Sequence, residues 1–419
     1  MQRSVDVHIS WSYGVVYGDG DGIGRAACLI ARSLSSERKN SDALAIAVPV
    51  FEAFDDDVSK EVRASLATII AGCYSHGLDL SKSLEWSEIS LSIAEELGDA
   101  SRFAAALGTR SGALFGLGRP REAIMLARGM KALAADAGDL KEEAVATMGI
   151  GLFFLPDDPR ASVAASFESA EICRRAGLRR IERNNLLNAA EVGVTLGTWS
   201  ETRRILADVS SRDVGEQASW FEMLLAMMDA MSGDVASAEE RLLPLRIGLE
   251  DLEFVSGATT EMHALAVVKL ASGDLAEAQR FAAKSIEIDP TGINAAVAVH
   301  VLGRATLWQR DVDAARAAYA SGLKVRGRWI EAVLDTIGAG ISALEGDVEV
   351  AAKQYSAAFE SWRVLDCTLP LALAELDCVL LLGPVHSDAN ALTEAREIFE
   401  ELGARPFLQR LEGAIAASR

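Results

Sequence analysis

The sequence predicts an all-α fold, a right-handed α-solenoid of antiparallel helix pairs. Three observations carry that expectation. A short phrase recurs with a period near 39 residues, the segments between its copies have helical rather than strand periodicity, and proline is scarce, with nine in 419 residues.

The recurring phrase is an apolar helical segment, then Gly-Asp or a relative, then alanine five positions after the glycine. It reads Gly233-Asp234 with Ala238, Gly273-Asp274 with Ala278, and Gly346-Asp347 with Ala351. Looser copies open at Gly77, Gly118 and Gly197, and Pro156, Arg310 and His386 hold the same place where glycine is absent. The nine positions are spaced 38.6 residues apart on average, and alanine follows at +5 in seven of them. Glycine tolerates the positive φ that ends a helix, the neighbouring Asp can cap the next one, and a small residue one turn later lets two helices cross closely. The phrase therefore marks the turn inside a helix pair.

A second mark falls between pairs. Gly98, Gly138, Gly177 and Gly403 each follow an apolar helical run, and the first three keep spacings of 40 and 39 residues. Two marks with one period define one repeating unit. Within a unit the amphipathic pattern is regular: Leu275, Ala278, Phe281, Ala282 and Ile286 share a face that excludes Glu277, Gln279 and Lys284. No run of β-branched residues alternates long enough for a strand.

These residues resemble the tetratricopeptide family. Leu302-Gly303, Asp311, Ala315, Tyr319 and Gly322-Leu323 give the best single match, preceded by Ile286-Glu287-Ile288-Asp289-Pro290, which resembles the family's closing phrase. The resemblance spans residues 61–419 in about nine units, most longer than the family's own. Residues 1–60 fit poorly and are expected to form degenerate N-terminal cap helices, with a turn at Gly18–Gly24 and a helix near Asp42–Phe54 bent at Pro49. The stretch Ala395–Phe407 resembles the closing part of the repeat regions in large bacterial LuxR-type and cyclase–ATPase regulators. That resemblance implies a sensor or regulatory scaffold. The P-loop of those proteins is absent from this sequence.

Composition narrows the function classes. The net charge is −20 and the sequence pI is about 4.8. Such a surface repels phosphate backbones and anionic lipid, so neither nucleic acid nor membrane is the expected partner. No apolar run approaches the 18 residues or so of a membrane span. The five cysteines lie at least eleven positions apart without a C-x-x-C pair, which points to reduced thiols and a cytoplasmic location rather than to disulfides or zinc.

No catalytic constellation stands out. The Gly18–Gly24 cluster lacks the lysine of a phosphate loop, and Ile23 breaks the alternation of oxygen ligands that a calcium loop needs. Among the five histidines only His263 and His300 are related, each ten residues before a turn, and two ligands do not make a metal site. No cofactor, metal or catalytic residue is expected, and the chain reads as a binding protein rather than an enzyme.

The resemblance implies that first helices face a partner-binding groove. Positions 13, 10 and 6 residues before successive turns then select Asn184, Leu187 and Glu191; Trp220, Met223 and Met227; Thr260, His263 and Val267; and Val297, His300 and Arg304, with Asn188 one turn from Asn184. Asparagines suit the backbone of an extended peptide, and Trp and Met offer adaptable apolar contact. Trp220, Met223 and Met227 fit an interhelix core equally well. The expected partner is a protein or peptide; a metabolite held inside the superhelix is the first rival reading, and an enzyme on an all-α toroid, which would need acids or histidines converging from several units, is the second.

Overall fold

The computed structural model describes residues 20–37, 39–53, 58–76, 79–211, 215–245, 255–384 and 389–417. They form twenty-one α-helices and no strand among the described residues. The helices are α1 (Gly20–Ser36), α2 (Asn40–Ala53), α3 (Lys60–His76), α4 (Leu80–Leu97), α5 (Ala100–Gly116), α6 (Pro120–Asp136) and α7 (Leu140–Phe154). They continue as α8 (Pro159–Ala176), α9 (Arg179–Leu196), α10 (Trp199–Ser210), α11 (Ala218–Met231), α12 (Val235–Leu242), α13 (Val255–Ser272) and α14 (Leu275–Ile288). The last are α15 (Ile293–Trp308), α16 (Val312–Gly322), α17 (Arg328–Leu344), α18 (Val348–Val364), α19 (Thr368–Leu382), α20 (Ala389–Leu402) and α21 (Arg405–Ala417).

The repeat register read from the sequence is the register of the structure. Seven of the nine marks fall in the turns between α5 and α6, α7 and α8, and so on to α17 and α18. Gly77 and His386 lie outside the described residues. Gly118, Gly197, Gly233, Gly273 and Gly346 all have positive φ, and Arg310, which replaces glycine in the α15–α16 turn, adopts φ 59. Asp234, Asp274 and Asp311 each accept a hydrogen bond from the backbone N–H three residues on, which caps the second helix of the pair. Ala123, Ala238, Ala278, Ala315 and Ala351 are fully buried where the paired helices cross. Between pairs, Gly98 (φ 63) ends α4, and Asp99 N–H reaches back to the Ala94 carbonyl, a Schellman closure.

One expectation needs correction. Gly20, Gly22 and Gly24 are not a turn but the first residues of α1. The reason is packing: a Cβ on Gly24 would stand 2.6 Å from Val62 Cγ1, so the bare backbone lets α1 lie directly on α3. Gly18 and Asp19 lie outside the described residues. The helix expected near Asp42 is α2, and it contains Pro49.

The chain divides into two compact units. The first holds residues 1–153 with 172–178 and 249–255. Its main core joins α1, α2 and α3 through Ile23, Ala27, Ala47, Val50, Leu66 and Ile70. In α4 the buried stripe is Ser83, Ser87, Ser90 and Ala94. Ser90 Oγ donates to the Ala64 carbonyl at 3.0 Å, so these serines act as small residues that admit α3 and bond its backbone.

The second unit holds residues 154–171, 179–248 and 256–419. Helices from α9 to α18 stack in consecutive pairs. The unit then folds back on itself: α19 packs against α9, α15 and α17 as well as against its chain neighbours α18 and α20. Leu369, Leu373, Leu376 and Val379 of α19 share one core with Leu187 of α9 and with Met223, Leu224 and Met227 of α11. The start of α17 closes on the α7–α8 turn, where Trp329 N–H donates to the Pro156 carbonyl at 2.9 Å.

Candidate functional site

The first helices α9, α11, α13 and α15 of the second unit carry every residue selected from the sequence. The structure sorts them into two groups.

The first group remains half-buried, with Asn184, Asn188, Glu191 and Trp220 on α9 and α11, Thr260 and Val267 on α13 and Val297 on α15. Asn184, Asn188 and Glu191 follow one another at i, i+4 and i+7 on one face of α9, and Trp220 approaches them from α11. Trp220 Nε1 donates to Glu191 Oε2 at 3.0 Å. Gln217, the residue just before α11, donates through Nε2 to Asn184 Oδ1 at 3.2 Å and to the Arg180 carbonyl at 3.1 Å, and accepts from Arg183 Nε at 2.9 Å. A similar rung joins the next first helices, where Asn294 Nδ2 of α15 donates to Thr259 Oγ1 and Thr260 Oγ1 of α13. The amide of Asn188 has no hydrogen-bond partner among the described residues.

Loss of water pushes the Glu191 carboxyl up to about 7, against the opposing pull of the Trp220 hydrogen bond. The folded protein therefore favours the neutral acid more than the unfolded chain does. The stability contributed by this group is complete below pH 4.5 and is lost as pH rises through about 7. Glu191→Gln keeps a neutral hydrogen-bonding group at all pH values. Relative to wild type, the variant is expected to gain at most about 3 kcal/mol between pH 4.5 and pH 8, at about 1.4 kcal/mol per pKa unit. Urea midpoints of both proteins at the two pH values test this, and parallel profiles would refute it.

The second group is buried and includes Leu187 of α9. Met223 and Met227 lie in the core shared with α19, which realises the interhelix-core alternative for these two residues. His263 is enclosed, and its Nδ1 has no hydrogen-bond partner among the described residues. Burial pulls its pKa down to about 4, so it is neutral at pH 7. His300 is held well below its usual value by burial and then by the positive charge of Arg304. Its Nε2 accepts from Arg304 Nη1 at 2.9 Å, which fixes the neutral tautomer with the proton on Nδ1. The ring stands edge-on to Trp329, with centroids 5.2 Å apart.

Arg304 is the centre of this group, and it faces the chain's own helix. Its Nε donates to both carboxylate oxygens of Asp377 at 3.1 Å, and its Nη2 donates to Oδ2 at 2.9 Å. Trp308 Nε1 adds a 2.6 Å bond to Oδ1. Both charged side chains are almost completely buried, at 2% and 1% exposure. Burial pushes the Asp377 carboxyl up, and Arg304 opposes that rise. Arg410 of α21 lies over the Trp308 ring, 4.3 Å from its centroid. Of the α15 residues selected from the sequence, Arg304 is therefore occupied in the folded chain by α19, and His300 by Trp329 of α17 and Trp362 of α18.

Asp377 and α19 escaped the sequence reading. The available signal was the run Thr368–Leu382, apolar on every side yet carrying Glu375 and Asp377. A helix without a polar face is buried all round, and acids within it require partners.

No group of three or more His, Cys, Asp or Glu able to hold a metal occurs among the described residues. Among them, no helix is long and apolar enough to cross a membrane. All five cysteines are buried and none forms a disulfide.

Fold and site together define an all-α helical-repeat protein of tetratricopeptide-like helix pairs. No family model matches the sequence. No curated protein matches it either. Among solved structures, the chain is similar to yeast Tom70 at 14% identity and TM-score 0.36, covering 93% of this chain and 88% of that one. It is similar to the apo form of the quorum sensor NprR from B. thuringiensis at 8% identity and TM-score 0.41, covering 90% and 97%. It is also similar to the APC/C hetero-tetramer Cut9–Hcn1 at 12% identity and TM-score 0.42, covering 98% and 93%. These likenesses are loose, and the fold assignment rests on the helices themselves.

Proposed function

We propose that the chain is a non-catalytic scaffold that binds a protein or peptide segment along the first helices of its second unit. In this reading it is the sensor or regulatory part of a cytoplasmic signalling or transcription-regulating system. The observation that carries the reading is the half-buried stripe of Asn184, Asn188, Glu191 and Trp220 on α9 and α11. It combines an unpartnered amide, an indole and a carboxyl on neighbouring helices, a set suited to the backbone and side chains of a peptide. The charge of −20 favours a basic or neutral partner over nucleic acid or anionic lipid.

His263 and Arg304 are poor probes of this surface, because changing either disturbs the interior. The informative variant is Asn184→Ala, Asn188→Ala, Trp220→Ala. In a crosslinking capture from the native cell it is expected to lose at least tenfold of a partner retained by wild type, with an unchanged circular dichroism spectrum. Recovery of the same partner at the wild-type level would place the binding surface elsewhere.

A further inference from the structure

We propose that α19 is an intramolecular ligand of the inner face of the second unit, and that its release opens that face to an apolar partner helix carrying a carboxylate. The proposal rests on the binding reading above and adds its regulation and partner chemistry.

In a stacked helical array each pair touches its neighbours. α19 does more. It reaches α9 through apolar side chains and α15 through a directional polar contact, both far from it in the repeat order. Asp377 receives three hydrogen bonds from Arg304 and one from Trp308, residues 73 and 69 positions away. The fit at the start of α19 is equally close. A Cβ on Gly197, in the α9–α10 turn, would stand 2.9 Å from the Leu369 backbone nitrogen.

The chemistry of the seat is that of a ligand site. An apolar pair at these positions would hold two helices together at least as well as a buried ion pair. What the ion pair adds is a demand for one register and one charge. The inner face therefore selects a helix that sets a carboxylate against the Arg304 fork and the Trp308 indole among apolar neighbours. α19 supplies that pattern with Asp377 between Leu376 and Cys378.

The means of release lies at the α18–α19 connection. Asp366 adopts φ 53 there, a left-handed conformation for a residue with a Cβ. Arg160 of α8 grips it, with Nη2 donating to the Asp366 carbonyl at 3.1 Å and Nε 2.9 Å from Oδ2. The Arg160 and Asp366 side chains are 40% and 71% exposed, so the Asp366 side of this latch meets solvent and salt although Arg160 Nε is buried, while the Asp377 seat is closed.

Cys378 lies on α19 itself and is 4% exposed, which makes it a native reporter of release. The test is N-ethylmaleimide labelling of the full chain under native conditions, with each site quantified by mass spectrometry. Arg160→Ala removes the outer latch and leaves no buried charge alone; Asp377→Asn weakens the seat directly. Both are expected to label Cys378 at least tenfold faster than wild type, with Cys28 and Cys73 in the first unit unchanged. Both are also expected to bind a lysine-flanked peptide with the sequence of residues 368–382 at least tenfold more tightly. Cys378 labelling that stays as slow as Cys28 in both variants would overturn the proposal. So would fast labelling without peptide binding, because the vacated face would then not be a helix site. If the α9–α11 triple variant loses its partner while Cys378 remains closed, the release step alone falls and the binding surface stands.

Discussion

Arg304→Ala is expected to destabilise the second unit by about 3–5 kcal/mol, the usual cost of leaving one member of a buried ion pair alone. The variant strands Asp377 at 1% exposure with only the Trp308 indole as donor. Burial already pushes that carboxyl up against the opposing pull of Arg304, so removing the guanidinium drives it further toward the neutral acid. The penalty should therefore shrink as pH falls from 8 to 4, where protonation relieves the lone charge. Five of the seven tryptophans belong to the second unit, so urea denaturation followed by tryptophan fluorescence reports on it. The double variant Arg304→Met, Asp377→Leu removes both charges and is expected to recover most of the loss, since apolar replacements for buried pairs are often neutral or better. Equal losses in the single and double variants would mean that shape rather than charge holds α19 in place.

Trp362→Ala is expected to cost about 3–5 kcal/mol through the cavity it leaves. The side chain is fully buried in the core that joins α15, α17, α18 and α19. It stands edge-on to Trp329, with centroids 5.4 Å apart, and 5.8 Å from the His300 ring. Its Nε1 also donates to Thr336 Oγ1 at 3.0 Å. Trp362→Phe separates the two contributions. It fills most of the volume and loses the hydrogen bond, while Thr336 keeps its own bond to the Ala332 carbonyl. The Phe variant should lose only about 1–2 kcal/mol, combining a buried hydrogen bond with a smaller void. Thermal unfolding followed by circular dichroism measures both variants. A Phe variant as unstable as the Ala variant would show that the indole bond, not the packing, dominates.

The candidate site was legible only in part. Spacing placed Asn184, Asn188, Glu191, Trp220, His263, His300 and Arg304 on successive first helices, because repeats of one length return equivalent positions to equivalent faces. Spacing says nothing about what lies opposite those faces. Met223 and Met227 had two readings for that reason, and the burial of both was decided by α19 and α21 arriving from more than 140 positions away.

The sequence by itself determined the local chemistry of this protein: glycines at positive φ where helices stop, aspartates that cap the next helix, alanines at the crossings, and a period that joins them into pairs. Each of these depends on residues within about 40 positions, and each is dictated by steric and hydrogen-bonding rules that act at short range. Only the tertiary structure decided that α19 turns back onto α9 and α15. That outcome depends on the small rotation and rise of every intervening pair, which accumulate over nearly two hundred residues. No single residue encodes the sum, so Asp377 could meet Arg304 only in the folded chain.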